Sequence, residues 1–240
     1  MRARARVSWL ADWLEVRDRR PLAPLAKKGR ENTSSSSFCI ERKIFRRRTL
    51  FKKTRKATTA SHVASRSRCN QFEEALAARL DIIRPSRSDI AACLEQHPLR
   101  LSPGVDTLVE ALHARGTAVF LVSGGFRLMI EPVAERLGVS VDNIYANTIL
   151  FDDAGEYAGF DANEPTSADQ GKPKALGAIK EKFGYETMIM VGDGATDAQA
   201  KPPADAFVGF GGVVVREAVK DKACWFVRDF DAMIDVVNGK

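Results

Sequence analysis

The pattern of apolar and polar positions changes character near residue 72 of this 240-residue chain. From there on, apolar residues recur at helical spacing. Phe72, Leu76 and Leu80 form one set and Ile90, Cys93 and Leu94 another, so the spacing predicts two helices. Between them lies Pro85-Ser86-Arg87-Ser88-Asp89, where Ser86 or Ser88 is placed to cap the second helix. Beyond Pro98 the period alternates. Pro103 to Arg115 reads as an amphipathic helix, Thr117 to Val122 as a buried strand and Leu128 to Leu137 as another helix. Thr187 to Val191, Ala206 to Val208 and Cys224 to Val227 add three short apolar runs, the last of them an edge strand. Residues 144–160 carry a hairpin signal, with Asp153-Ala154-Gly155 turning between Ile149-Leu150-Phe151 and Tyr157, and such a hairpin can serve as a flap. Strands alternating with helices predict a doubly wound, mostly parallel Rossmann-like α/β domain over residues 99–240, preceded by a helical stretch over 72–98.

Residues 1–71 obey another rule. They hold 20 Lys+Arg against 5 Asp+Glu, and the remaining residues 17 against 26, so a net charge of +6 conceals +15 and −9. Charge asymmetry of this size marks a tail and says nothing of the folded part. Arg2, Arg4, Arg6, the serines 34–37 and the cluster Arg46-Arg47-Arg48 with Lys52-Lys53 leave few sustained apolar periods, and the segment reads as disordered or foreign to the rest. Its candidate elements are a short amphipathic helix around Trp9, Leu10, Trp13 and Leu14 and a strand through Phe38-Cys39-Ile40. Three readings stay open: an organellar transit segment, an anion-binding arm, and translated sequence that does not belong to the ancestral protein. Interleaved aromatics and nucleic-acid modules are missing, so no specific nucleic-acid partner is expected. No apolar window approaches the ~20 residues needed to cross a bilayer. Four cysteines, Cys39, Cys69, Cys93 and Cys224, lack CxxC spacing, which suits a reducing compartment and argues against zinc or a disulfide framework. The expected location is cytoplasmic, or organellar if residues 1–71 are a transit segment.

The chemistry collects at three turns. Met188-Ile189-Met190-Val191 is an apolar strand that stops at Gly192-Asp193-Gly194-Ala195-Thr196-Asp197, and a pair of carboxylates at the end of a buried parallel strand can share one hard cation. Val122 runs into Ser123-Gly124-Gly125-Phe126-Arg127, where backbone N–H groups and a hydroxyl at a strand-to-helix turn suit phosphate oxygens. Between the two, Gln170-Gly171-Lys172-Pro173-Lys174 offers one lysine to a phosphate, with Lys174 expected in solvent. A phosphate cradle, a lysine and a carboxylate turn at successive strand ends compose a phosphoryl-transfer site.

With Val122 to Arg127, Gly155-Glu156-Tyr157-Ala158-Gly159-Phe160-Asp161, Val191 to Asp197 and Pro202 to Phe207, the chain resembles the haloacid dehalogenase superfamily of phosphatases over about residues 72–235. Within it, the second and first of these segments resemble the branch acting on O-phospho-L-serine, the last step of serine biosynthesis. The resemblance implies that residues 72–98 are what remains of a helical cap. It implies that Ser123 and Gly124 hold the phosphoryl group, that Gly125 helps position substrate, and that Lys172 neutralises phosphate charge. Asp193 becomes a Mg²⁺ ligand, Asp197 supports the metal site, Thr196 hydrogen-bonds substrate or phosphate, and Arg79 pairs with the substrate carboxylate. The implied cofactor is Mg²⁺ and the partner a small molecule, phosphoserine, with a homodimer left open.

One piece is absent. The family attacks phosphorus with the first Asp of an Asp-x-Asp-x-Thr motif and moves a proton with the second. Residues 1–71 contain only Asp12 and Asp18, neither followed by such a partner. The expectation is therefore a truncated or aberrantly begun phosphatase of little activity, whose sheet lacks its central strand and leaves apolar edges unpaired.

Overall fold

The computed structural model describes the backbone of residues 5–9 and 68–240, and side chains from Glu73 onward. Its main sheet has six strands in the order β3-β2-β1-β6-β7-β8. These are β1 (Ala5–Trp9), β2 (Leu121–Phe126), β3 (Ile144–Asn147), β6 (Thr187–Gly192), β7 (Ala206–Phe210) and β8 (Trp225–Val227), all paired in parallel. A separate antiparallel hairpin joins β4 (Ile149–Phe151) to β5 (Tyr157–Phe160).

Helices cover both faces, as parallel strands buried on two sides require. Helices α3 (Val105–Ala114), α4 (Arg127–Arg136) and α8 (Asp231–Val237) lie on one face, where Leu108, Val109, Ile130 and Met233 meet Leu121, Val191 and Val208. On the other face, α5 (Gly171–Phe183) presents Ala175, Leu176 and Ile179 to Phe120, Met190 and Phe207. Two single-turn helices, α6 (Ala195–Ala198) and α7 (Glu217–Lys220), complete that side. The doubly wound reading holds, and the hydrophobic period placed the helices to within a few residues.

A third apolar cluster joins α1 (Arg68–Ile83) and α2 (Arg87–Gln96) to the hairpin through Leu76, Leu80, Ile90, Ile149 and Tyr157, with Met129 beneath. Ser86 is the cap of α2: its Oγ accepts from the Asp89 N–H at 3.0 Å while Asp89 Oδ2 accepts from the Ser86 N–H at 3.1 Å. Arg84 lies 5.6 Å from the Tyr157 ring centroid and Arg87 4.8 Å from that of Phe151, and the Arg87 N–H donates to Gly155 O at 2.9 Å. The hairpin is clamped to the helical pair by these contacts.

Four expectations change. The first helix begins at Arg68, four residues before the predicted boundary. Residues 144–147 are a strand of the main sheet, and only 149–160 form the hairpin. The buried strand expected over 117–122 enters the ladder at Leu121 and extends to Phe126, because β3 pairs with Leu121 and Val122 and again with Phe126, on either side of a bulge at the Ser-Gly-Gly sequence. The largest correction concerns the amino terminus. Ala5–Trp9 is the central strand of the sheet, its residues in register with Thr187–Val191 of β6 and Trp9 also level with Leu121 of β2. The sheet is thus closed where a gap and unpaired edges were expected, and Trp9 ends a strand instead of lying in a helix. The rest of that proposed helix and the strand at Phe38-Cys39-Ile40 lie outside the described residues.

At the amino-terminal end of the sheet, Asp205 ties β6 to α5. Its carboxylate accepts from the Met188 N–H at 2.7 Å and from Lys180 Nζ at 3.0 and 3.1 Å. The Met188 N–H holds its carboxyl below the ordinary carboxylate range, with burial opposing it and Lys180 adding to the lowering. A carboxyl depressed by folding stabilises the native state at neutral pH, and that contribution is lost as pH falls through its folded value. Asp205→Asn should therefore lower stability by about 1 kcal/mol or less at pH 7 and flatten its fall with acid, measured by urea unfolding between pH 7 and pH 3. Parallel pH profiles for both proteins would contradict this.

Candidate active site

The carboxyl end of the sheet collects the polar residues. Trp9 is level with both Leu121 and Val191, so Ser123 and Asp193, each two residues further on, sit at one height on either side of β1. Two inter-strand spacings put those strands about 10 Å apart. This is the crevice outside the strand termini where open α/β sheets bind ligands.

Between Val122 and Phe126 the β2–β3 register shifts, with Val122 opposite Tyr145 and Phe126 opposite Asn147. Four steps on β2 thus match two on β3, and the surplus residues form a bulge that lifts Ser123-Gly124-Gly125 out of the ladder. Ser123 is buried, and its Oγ accepts from the Gly125 N–H at 2.9 Å. Asn147, fully buried at the end of β3, donates from Nδ2 to Gly124 O at 2.8 Å. A trans peptide points its C=O and N–H in opposite directions, so tying the Gly124 carbonyl towards β3 turns the Gly125 N–H the other way, to the Ser123 hydroxyl.

The carboxylate turn is held as tightly. A Cβ on Gly192 would overlap the Asp197 carboxylate, so only glycine lets α6 fold back against the end of β6. Asp197 is buried and fully engaged. Its Oδ1 accepts from Lys172 Nζ at 2.5 Å, with the two side chains only 7% and 3% exposed, and its Oδ2 accepts from the Gly194 N–H at 2.9 Å. Gly171 similarly allows the start of α5 to rest on the turn at 165–167, since a Cβ there would stand 2.7 Å from Thr166 Cα and 2.8 Å from Pro165 O. Lys172 is carried into the site by that close approach. Lys174, on the next stretch of the helix, is exposed.

Asp193 is also buried, and Arg216 reaches it from the loop after β7: Nη1 donates to the Asp193 main-chain carbonyl at 2.7 Å and to its Oδ2. Lys172, Arg216, Asp193 and Asp197 thus balance two positive charges against two negative ones. Thr196 is exposed at the rim. Arg79 lies on the exposed face of α1, beside the buried Leu80, and α1 packs against β5 and the 165–167 turn that precedes Lys172.

Sequence reasoning passed over Asn147, Thr166 and Arg216. For Asn147 the signal was present, because a polar residue closing an apolar strand is what singled out Asp193. Arg216 finds its partner 23 residues away across two strand ends, which no local spacing records.

Asp193 and Asp197 are the carboxylates considered for a cation, and the geometry separates them. Both oxygens of Asp197 serve protein donors, leaving it to orient Lys172 and the Gly194 backbone. Asp193 offers one carboxylate that a cation would share with the Arg216 guanidinium. Mg²⁺ is commonly held by one or two carboxylates with waters and phosphate oxygens, so this donor set fits a weak site completed by substrate.

A serine-glycine turn, a buried lysine and an Asp-Gly turn thus gather at the carboxyl edge of a doubly wound parallel sheet, and the chain belongs to the haloacid dehalogenase-like hydrolases, whose family pattern it matches over residues 32–200. That match begins inside the segment read as foreign. A rat protein named phosphoserine phosphatase is 50% identical over 159 residues, covering 66% of this chain and 71% of the rat protein. The chloroplastic phosphoserine phosphatase of Arabidopsis thaliana is 50% identical over 169 residues, 70% of this chain and 57% of that protein. Among solved structures, a phosphoserine phosphohydrolase-like protein from Francisella tularensis aligns with a TM-score of 0.59 at 25% identity, over 69% of this chain and 76% of the other.

Proposed function

We propose that the chain binds O-phospho-L-serine and releases phosphate from it, serving serine biosynthesis. The observation that carries this reading is the convergence of the Ser123 turn, Lys172 and Asp193 on the carboxyl edge of the sheet, in a chain whose relatives of about 50% identity carry that activity in their name. Ser123, Gly124 and Gly125 cradle the phosphoryl oxygens, and Lys172 supplies positive charge from a buried position where it is least screened. Thr196 at the rim bonds substrate. Arg79, carried on the cap formed by α1, α2 and the hairpin, takes the serine carboxylate in bidentate fashion. Mg²⁺ is the implied cation, with Asp193 as its protein ligand and Asp197 in support through Lys172; when bound, it neutralises phosphate charge. Phosphoserine is the only partner the reading needs. The cytoplasm is the compartment we propose, or an organelle where residues 1–71 act as a transit segment.

A second reading, a noncatalytic phosphate-binding relative, is favoured by one observation. The central strand reads Ala5-Arg6-Val7-Ser8-Trp9, with no carboxylate, between the Ser123 and Asp193 turns. Loss of a nucleophile costs many powers of ten in rate while leaving binding groups in place. Phosphate release from O-phospho-L-serine with and without Mg²⁺, beside equilibrium binding of the same compound, tests both. We expect micromolar to millimolar binding with turnover at least about a thousandfold below the typical ~10 s⁻¹. Turnover near that typical rate would overturn the low-activity reading, and failure to bind phosphoserine would overturn both.

A further inference from the structure

The Ser123 turn and the Lys172 helix are joined by one buried side-chain relay, and we propose that Thr166 is the positioning residue that sets the geometry of the phosphate cradle. The proposal rests on the phosphoryl-site reading of that turn. Thr166 sits in the 3-10 turn Pro165–Ser167, shortly before α5, and is 2% exposed. Its Oγ1 donates to Asn147 Oδ1 at 2.9 Å, and Asn147 in turn donates to Gly124 O at 2.8 Å. On its other side, the Thr166 backbone receives Gly171, the residue before Lys172. One residue therefore touches both arms of the site.

The hydroxyl has a specific task. The two ends of a carboxamide have nearly the same shape, and only hydrogen-bond partners decide which end is oxygen and which is nitrogen. The Gly124 carbonyl can only accept and so selects Nδ2, and the Thr166 hydroxyl, donating to Oδ1, anchors the other end of the amide in that orientation. Without that donor Oδ1 is left buried with no anchor, and the amide can swing away from Gly124, release the carbonyl and let the 124–125 peptide turn. The Gly125 N–H and the Ser123 hydroxyl would then lose the hydrogen bond that holds the turn in shape. A parallel set of contacts braces the same junction: Arg127 Nη2 donates to Glu164 Oε1 at 3.1 Å, and Thr148 Oγ1 donates to the same oxygen at 2.9 Å. Those contacts hold the turn at 164–166 against β3 and leave the amide of Asn147 to Thr166.

The test compares Thr166→Val, which keeps the shape and removes the hydroxyl, with Thr166→Ser, which keeps the hydroxyl. Inorganic phosphate binding to the full chain is measured by ³¹P NMR titration, and backbone amide exchange of Ser123–Gly125 by ¹H–¹⁵N spectra without phosphate. Thr166→Val should weaken phosphate binding about tenfold and speed exchange at Gly124 and Gly125 at least severalfold, with α5 amides unchanged, and Thr166→Ser should stay within about twofold of the original on both measures. Unchanged exchange and affinity in Thr166→Val would overturn the proposal. So would equal damage in both variants, which would mark Thr166 as a packing residue. If the unsubstituted chain fails to bind phosphate, the phosphoryl-site reading falls, and the exchange measurement alone decides whether Thr166 orders the turn.

Discussion

Val7→Pro should unfold the sheet from its centre. Val7 is in register with Ile189 in the middle of β1, which has β6 on one side and β2 on the other. Proline removes a ladder N–H and is confined to sheet edges and bulges, so a central strand has no means of absorbing it. The cost should be about 3 kcal/mol or more, which for a chain of this size lowers the melting temperature by roughly 6–12 °C. Circular dichroism melts and urea midpoints check it. An unaltered melt would mean that Ala5–Trp9 does not hold the place between β2 and β6.

That strand is also where the sequence was least legible. Five residues reading Ala-Arg-Val-Ser-Trp inside an arginine-rich segment carry neither a long apolar run nor turn signals, and Arg6 in a strand flanked on both sides contradicts the composition expected of a buried parallel strand. Backbone pairing with β6 and β2 assigns the strand, and pairing is a property of the partner as much as of the segment. The helices were easier. Leu76 and Leu80 repeat at the helical period, as do Ile90, Cys93 and Leu94 in the next helix, and the capping box at Ser86 is written in four consecutive residues.

The site divides along the same line. Gly192 to Asp197 and Ser123 to Gly125 announce themselves because each glycine turn is contiguous, and turn chemistry is local. The partners that orient them are not. Asn147 is 23 residues from Gly124, Thr166 is 19 from Asn147, and Arg216 is 23 from Asp193, so each contact exists only once the sheet has brought strand ends together. Sequence reasoning thus reached the two contiguous turns and missed the side chains that orient them.

Lys172 tests whether the site's electrostatics are stabilising or poised for a ligand. Lys172→Met removes the cation and leaves the Asp197 carboxylate buried beside a methyl group, with the Gly194 N–H still donating to it. Breaking a buried pair from one side costs about 3–5 kcal/mol, because the remaining charge has lost water and gained nothing. Lys172→Met with Asp197→Asn removes both charges, and the asparagine oxygen can still accept from Gly194, so most of that loss should return. A coupling of about 2 kcal/mol or more between the two substitutions, measured by urea unfolding, is the expected result, and additive losses would contradict it. Phosphate binding should separate from stability in the same set. The double variant regains its fold without regaining the cation proposed to neutralise phosphate, so its affinity for phosphate should stay at least about tenfold below that of the unsubstituted chain. Recovery of affinity together with stability would assign Lys172 to holding the Gly192–Asp197 turn in place, and the positive charge at the cradle to Arg216.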